Sequence, residues 1–277
     1  MNKVPKISVI TACYNHGRFI NEMLDSIFRQ TFEDYEVIIV NDGSTDDTAE
    51  ILNKISHPKV SIIHKENHGP AAARNTAIKE ARAKIIMNID ADDMAGPGLL
   101  EKAFEIIGSD DNTGIAYCDP ELIGAGKGKI DTGEYSREAM LIKNLITSAA
   151  CFRKTDWEKA GGYSDELIYG MEDWDFWLSI TEQGRDVIKI RDAFFYYRIY
   201  ENPNESRSGK RKADRKKSDI SLCIIFNRHK KLYLQFPVIF RRFSRFEKRV
   251  KIKLFFNSIC SNIFYRSINS GNYAGRK

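Results

Sequence analysis

In the first hundred positions, the spacing of the apolar residues switches between two patterns. Short apolar runs typical of buried parallel strands alternate with segments whose apolar residues recur every three or four positions, as on a helix face. The pattern predicts an α/β fold with a doubly wound, largely parallel sheet that binds ligands at the carboxyl ends of its strands. The predicted strands are 6–11, 35–42, 59–64 and 84–90, and the predicted helices are 18–30, 42–55 and 69–83.

Beyond Gly98 the pattern is less regular. Helical spacing returns at 99–108, 155–162 and 172–184, strand-like runs lie at 114–119 and 193–200, and a Gly/Lys-rich stretch at 123–135 predicts a mobile surface loop. Residues 202–218 have the composition of a linker. We therefore expect a catalytic domain at 1–203, with halves 1–98 and 99–203, and an extension at 204–277.

Charge divides the chain in the same way. Residues 207–277 hold 20 Lys and Arg against three acidic residues, whereas residues 1–206 hold 23 basic and 35 acidic residues. The basic tail interleaves cations with aromatic residues, a pattern that favours contact with an anionic membrane surface. Packing of the tail on the acidic body is the alternative, and nucleic-acid binding ranks third because no nucleic-acid module accompanies it.

Composition places the chain among ordinary globular proteins, with 42% hydrophobic and 29% charged residues in 277. The N-terminus lacks the apolar core of a secretory signal, and no run reaches the ~18 apolar residues of a membrane-spanning helix. Five scattered cysteines indicate neither a disulfide framework nor a zinc site. We expect a cytoplasmic protein, which the basic tail would bring to the cytoplasmic face of the inner membrane.

Two acidic turns follow predicted strands. In the sequence NIDADD, Asp90, Asp92 and Asp93 come directly after the fourth strand and precede a Gly/Pro-rich turn. Carboxylate oxygens at such a position are ligands that Mg²⁺ and Mn²⁺ prefer, although a solvated turn or a helix cap has the same composition. In NDGSTDDT, Asp42 ends the second strand, where it would meet a ligand N–H or simply form the Asp-Gly turn, while Ser44 and Asp47 have a capping-box spacing.

Two further segments carry charges suited to a site. Arg74 lies in the first turns of the third predicted helix, where it would pair with the acidic turns or contact a nucleotide. In GMEDWDFW, Glu172 and Asp173 stand beside aromatic residues, which suits a general base next to a sugar ring. The alternative is an amphipathic helix with Trp174 and Trp177 in the core and its acids at the N-terminus.

Together and in this order, the segments SVITACYNHGRF, YEVIIVNDGSTDDT, NHGPAAARN, NIDADD and GMEDWDFW resemble the family 2 glycosyltransferases over about the first 200 residues. The resemblance implies the GT-A (Rossmann-like) fold, a central mostly parallel mixed sheet flanked by helices. It also implies an inverting sugar transfer from a nucleotide-sugar donor, such as a UDP-sugar, to a glycan or lipid-linked acceptor in polysaccharide synthesis. The cofactor would be Mg²⁺ or Mn²⁺.

The resemblance also assigns roles position by position. Thr11, Ala12, Tyr14, Asp42, Arg74, Asp90, Ala91 and Asp92 would bind the nucleotide sugar, with Asp42 on the uracil. Asp92 would be the main metal ligand and Asp90 its companion on the metal or ribose side. Asp173 would be the catalytic base, and Glu172 and Trp174 would place the acceptor.

One position departs from the family pattern. Many relatives carry Tyr-Arg-x-His after the last core strand, whereas here Tyr200 follows Tyr197-Arg198-Ile199. Tyr200 is a poor metal ligand, so no third protein ligand is predicted, although Arg198 and the segment 206–208 would still close over a diphosphate. A non-catalytic sugar-nucleotide-binding protein and a nucleic-acid adaptor are the rival functions. The sequence carries no signal for the sugar, the linkage or the oligomeric state.

Overall fold

The computed structural model describes residues 4–206, 209 and 214–251 of the chain. Its strands are β1 (Ile7–Cys13), β2 (Tyr35–Asp42), β3 (Val60–Lys65), β4 (Ile85–Asn88), β5 (Met94–Ala95), β6 (Thr113–Gly124), β7 (Ala150–Arg153) and β8 (Asp186–Ile199). Its helices are α1 (Gly17–Phe28), α2 (Thr48–Asn53), α3 (Pro70–Glu80), α4 (Leu99–Ser109), α5 (Arg137–Met140), α6 (Lys154–Ala160), α7 (Glu172–Thr181), α8 (Arg215–Arg228) and α9 (Lys230–Leu234). A 3₁₀ turn spans Pro203–Glu205, and residues 237–251 are also helical.

All eight strands form one mixed sheet in the order β3-β2-β1-β4-β7-β6-β8-β5. The strands β3, β2, β1 and β4 are parallel, and β7 runs antiparallel between β4 and β6. The predicted α/β class with a mostly parallel mixed sheet is confirmed. Because β7 is antiparallel to β4, the segment that leads into β7 reaches the edge of the sheet where β1, β2 and β4 end.

The burial of side chains explains why the sequence pattern predicted the strands and helices of the first half. Every residue of β2 is buried, and α1 buries Ile20, Met23, Leu24 and Ile27 against the sheet. Such continuous apolar strands belong to a parallel sheet that is covered on both faces.

The second half contains elements that the sequence pattern did not predict. The short strands β5 and β7 and the single-turn helix α5 carry too few residues for a period to emerge. Strand β8 begins at Asp186, seven residues before the predicted start, and α8 begins inside the predicted linker. The loop at 123–135 is a surface segment, but it is tied back through Leu122 N–H to Gly128 O and Ile130 N–H to Pro120 O, both within 2.9 Å.

Asn75 joins helix α3 to helix α6 and the turn after it. Its Oδ1 accepts from Trp157 Nε1 and from the Tyr163 N–H, both at 2.9 Å, and its Nδ2 donates to Tyr163 O at 2.8 Å. This side chain fixes α3 to the turn that follows α6.

The chain divides into two compact units, Met1–Asp214 and a second that starts at Arg215. The second unit has an aromatic cluster of its own, in which the ring of Phe226 lies 5.0 to 5.9 Å from those of Tyr233, Phe240 and Phe243. Among the described residues, no helix has both the length and the apolar character needed to cross a membrane. The domain boundary at 203/204 stays a prediction.

Candidate functional site

The site residues are placed by loops that follow β1, β2 and β4. The loop after β1 and the turn after β2 interlock: Asn15 N–H donates to Ser44 Oγ at 3.0 Å, Thr45 N–H donates to Asn15 Oδ1 at 2.8 Å, and Gly17 N–H donates to Thr48 Oγ1 at 2.8 Å. Ser44 is therefore not the cap of α2. That helix begins at Thr48, with Asp47 in the N-cap position, so the predicted capping box is wrong.

Asp42 lies at the end of β2 as predicted, and its carboxylate is held by the loop before α3. Oδ1 accepts from Lys65 Nζ at 2.6 Å and from the His68 N–H at 3.1 Å, while Oδ2 accepts from the Gly69 N–H at 2.8 Å. A carboxylate offers about four acceptor sites. Donors from the described part of the chain take three of them, which leaves one on Oδ2.

Arg74 is buried and bridges the two predicted halves of the catalytic domain. Its Nη2 donates to Asp90 Oδ1 and its Nη1 to Glu172 Oε1, each at 2.8 Å. Burial acts to lower the pKa of the guanidinium, but the charges of Asp90 and Glu172 outweigh it and raise that pKa. The arginine thus pairs with one carboxylate from each predicted half of the site.

Both carboxylate oxygens of Asp90 accept hydrogen bonds from the protein itself. Besides Arg74, Oδ1 accepts from Asn88 Nδ2 at 3.1 Å, and Oδ2 accepts from Ser148 Oγ at 2.8 Å. Burial raises the pKa of this carboxyl, yet Arg74 and the hydrogen bonds hold it below its ordinary value. Asp90 is therefore a stable anion that anchors the turn, and of the two predicted metal ligands it has less capacity left for an ion.

Asp92 is the carboxylate with an available oxygen. Oδ2 accepts from the Tyr200 hydroxyl at 2.6 Å, whereas Oδ1 lies 3.8 Å from His16 Nδ1 and accepts no hydrogen bond from the described residues. Burial and the charge of Asp92 raise the pKa of Tyr200, so its hydroxyl keeps the proton that it donates. Tyr200 thus contacts Asp92 from the position that the family pattern implied, but it donates a hydrogen bond to the carboxylate and is not itself a metal ligand.

Asp93 is a buried carboxyl of a different kind. Its Oδ1 accepts from the Arg198 N–H at 3.0 Å, and its Oδ2 has no partner among the described residues. Burial and the neighbouring charges of Asp92 and Asp90 raise its pKa well above the ordinary value. Asp93 links the acidic turn to the end of β8.

Glu172 and Asp173 lie in the first turn of helix α7, where negatively charged side chains interact favourably with the helix dipole. Asp173 is half-buried, and its Oδ2 accepts from Asn144 Nδ2 at 3.1 Å. Trp174 is only 5% exposed, and its indole N–H donates to Met140 O at 2.8 Å. The predicted core role of Trp174 and Trp177 is confirmed by their burial; contact of Trp174 with an acceptor stays a prediction.

The remaining predicted nucleotide-binding residues differ in exposure. Tyr14 is 44% exposed, and Ala12 is half-buried. Thr11 and Ala91 are fully buried, and Thr11 Oγ1 faces Met23 Sδ at 4.0 Å. Because the side chains of Thr11 and Ala91 are buried, nucleotide contact at these two positions stays a prediction.

The donor atoms around Asp92 determine how a metal ion could be held. No group of three or more His, Cys, Asp or Glu residues in the described ranges is arranged to hold an ion. The pair Asp92 and His16 nevertheless supplies a carboxylate oxygen and an imidazole nitrogen, both of which bind divalent ions. An ion held there would need further ligands from a bound diphosphate.

Sequence reasoning missed several residues of the site. Asn144 and Ser148 lie between α5 and β7, a segment without a clear period, and they reach Asp173 and Asp90 only because β7 pairs with β4. Lys65 and His16 lie outside the predicted strands and helices, and nothing in the local pattern connects them to Asp42 and Asp92.

Comparison with known proteins gives a family. The model of glycosyl transferase family 2 matches residues 8–149. The hyaluronan synthase of Pasteurella multocida is 31% identical over 212 residues, which cover 74% of this chain and 22% of that protein. The chain spans 22 to 30% of the length of the hyaluronan and chondroitin synthases that it matches.

Solved structures share the fold. TarS of S. aureus, in complex with UDP-GlcNAc, superposes with a TM-score of 0.62 at 21% identity, covering 81% of this chain and 72% of that one. The mannosyltransferase PcManGT of Pyrobaculum calidifontis, in complex with GDP-Man and Mn²⁺, gives 0.61 at 18% identity and covers 97% of this chain and 83% of that one. The expected GT-A architecture is thereby confirmed.

Proposed function

Because the chain belongs to glycosyl transferase family 2, we propose that it transfers a sugar from a nucleotide-sugar donor, a UDP-sugar, to a hydroxyl group of a glycan or lipid-linked acceptor. The reaction is a single displacement in cell-surface polysaccharide synthesis, so the configuration at the anomeric carbon inverts. The observation that carries the proposal is the chain of contacts Asp90–Arg74–Glu172, which joins the acidic turn after β4 to the first turn of α7.

Asp173 is the base of the proposed reaction. It follows Glu172 directly, it is half-buried, and Asn144 fixes one of its oxygens. The other oxygen accepts from the N–H of Trp174 at 2.8 Å, which orients the carboxylate at the start of the helix. A carboxylate held in this way takes the proton of an acceptor hydroxyl as that oxygen attacks the sugar.

Asp92 is the residue that holds the metal ion in the proposal. Bound Mg²⁺ or Mn²⁺ would supply positive charge to the diphosphate leaving group. The side chain is 17% exposed, and its Oδ1 accepts no hydrogen bond from the described residues. Asp90, in the same turn, is held by Arg74, Asn88 and Ser148, so the protein itself fixes that end of the turn.

Asp42 favours uridine among the donor bases. Its one remaining acceptor site, on Oδ2, matches the single imide N–H of uracil, whereas guanine presents two adjacent donors that require both oxygens. Among the structural relatives, TarS is recorded with UDP-GlcNAc and PcManGT with GDP-Man. Lys65 Nζ and the His68 N–H already donate hydrogen bonds to Oδ1, which supports a UDP-sugar as the substrate of this chain.

The second unit is proposed to meet an anionic membrane surface. In its 237–251 helix Arg241, Arg242 and Arg245 are exposed, and Val238 is 82% exposed beside them. Exposed arginines next to an apolar residue suit a layer of anionic headgroups above acyl chains. We expect no nucleic-acid partner.

A panel of UDP- and GDP-sugars tests the proposed function. We expect Mg²⁺- or Mn²⁺-dependent thermal stabilisation by UDP and hydrolysis of one UDP-sugar, with Asp92→Ala abolishing the metal dependence. Asp173→Asn should abolish transfer and leave UDP affinity nearly unchanged. A protein that binds UDP-sugars without turnover would be a non-catalytic binding protein. Failure of every donor to bind would overturn the proposal.

A further inference from the structure

His16 and Asp92 face each other with their acceptor atoms. His16 Nδ1 lies 3.8 Å from Asp92 Oδ1, too far for a hydrogen bond. The two side chains are 27% and 17% exposed, so both remain accessible to a small ion.

The surrounding hydrogen bonds assign the proton on the imidazole. Tyr200 donates its hydroxyl proton to Asp92 Oδ2, so the Tyr200 oxygen can only accept from His16 Nε2, which lies 3.5 Å away. In the tautomer that makes this contact, Nε2 carries the proton and the lone pair of Nδ1 points toward Asp92 Oδ1. A divalent cation between the two atoms would accept a lone pair from each of them.

His16 is held in this position by its neighbours in the chain. Asn15 has a positive φ of 56° and is locked by Ser44 and Thr45. A Cβ at Gly17 would lie 2.8 Å from Thr48 Cα, so the chain after His16 fits closely against α2. The ring of His16 also stacks on Tyr200, with centroids 6.5 Å apart and an interplanar angle of 27°.

We propose that His16 Nδ1 and Asp92 Oδ1 together bind a divalent cation, and that the imidazole nitrogen biases this site toward Mn²⁺ over Mg²⁺. The separation fits, because two ligands at about 2.1 Å from one ion lie roughly 3 to 4.2 Å apart, depending on the angle between them. Mg²⁺ favours oxygen ligands, whereas an imidazole nitrogen is accepted more readily by the softer transition-metal ions. The proposal rests on the proposed function in that a donor diphosphate completes the coordination shell.

The direct test is pulsed electron paramagnetic resonance of bound Mn²⁺, with and without UDP. The wild-type chain should show ¹⁴N coupling from one imidazole, and His16→Ala and His16→Gln should lack it. His57→Ala is the matched control, because His57 stacks on Phe28 at 4.2 Å and plays no part in the contacts of Asp92. Unfolding temperatures measured in EDTA establish that the variants are folded.

Affinities give the second measurement. Calorimetry should show that His16→Ala weakens Mn²⁺ binding about tenfold or more, and Mg²⁺ binding clearly less, because only the former uses the nitrogen strongly. Bound Mn²⁺ without ¹⁴N coupling in the wild type, or equal loss of both ions in His16→Ala, would overturn the inference. An absence of nucleotide binding by every donor would instead overturn the proposed function, while ¹⁴N coupling with Mn²⁺ alone would still support the role of His16.

Discussion

Arg74 Nη1 lies 2.8 Å from Glu172 Oε1, although 98 residues separate the two side chains in sequence. The pair is buried, and the same guanidinium holds Asp90 with its other terminal nitrogen. This contact ties α3 to α7 and thereby fixes the distance between the donor side and the acceptor side of the proposed site.

Removing Arg74 should therefore destabilise the first unit. Arg74→Ala leaves two carboxylates without their buried partner, and we expect a loss of about 3–5 kcal/mol in the free energy of unfolding. Arg74→Lys keeps the charge but cannot span both acids, so its loss should be smaller. Urea unfolding measures both, with Arg29→Ala at an exposed pair as the control. A loss below about 1 kcal/mol, the range of surface pairs, would show that the bridge contributes little.

Asn144 should act as a positioning residue for Asp173. Without this hydrogen bond Oδ2 of Asp173 is held less firmly, although Oδ1 still accepts from the Trp174 N–H. We expect Asn144→Ala to lower kcat about tenfold to a hundredfold with little change in KM for the donor. Asn144→Asp places a like charge beside Asp173, which should move the acid limb of the kcat profile to higher pH. Asn112→Ala removes a similar amide contact, to the exposed Asp186, and should leave kcat unchanged. Unchanged kinetics in both Asn144 variants would mean that the contact with Asp173 is incidental.

Lys65 should determine how strictly the donor base is selected. Lys65→Ala frees Oδ1 of Asp42 for a second donor, so GDP should gain affinity relative to UDP, by about tenfold for one charge-assisted hydrogen bond. Fluorescence titration of both nucleotides gives the ratio. Lys59→Ala serves as the control, because its ammonium group contacts Glu33 O and lies outside the Asp42 cluster. If the ratio of GDP affinity to UDP affinity stays at the wild-type value, the number of free acceptor sites on Asp42 does not select the donor base.

Tyr117 should make the stability of the first unit fall in alkali. Burial raises the pKa of this phenol to about 12, and its hydroxyl donates to Gly133 O at 3.2 Å. Between pH 10 and 12 the unfolded chain loses the phenolic proton while the folded chain keeps it, so stability decreases as pH rises through that range. Tyr117→Phe should lose about 1 kcal/mol at pH 7, and this deficit should shrink by pH 12. Tyr14→Phe, at an exposed tyrosine, should show no such change.

Local sequence patterns and long-range contacts determine different parts of this molecule. Strands β1, β2 and β4 and helix α1 were predicted because each buries a continuous or periodic set of side chains. The positions of Asp42 and Asp90 at strand ends followed from that pattern. The antiparallel strand β7 did not, since four residues are too few to show an alternation.

The sequence by itself thus determined the α/β class, the family and the ends of the strands where the acidic residues lie, because periodicity and motif order are local properties of the chain. Only the tertiary structure decided how those residues divide their roles. It gave both oxygens of Asp90 to Arg74, Asn88 and Ser148, and it left one oxygen of Asp92 facing His16. Partners 58 and 98 positions apart meet because β7 and α7 return to the same edge of the sheet, and no pattern along the chain encodes that return.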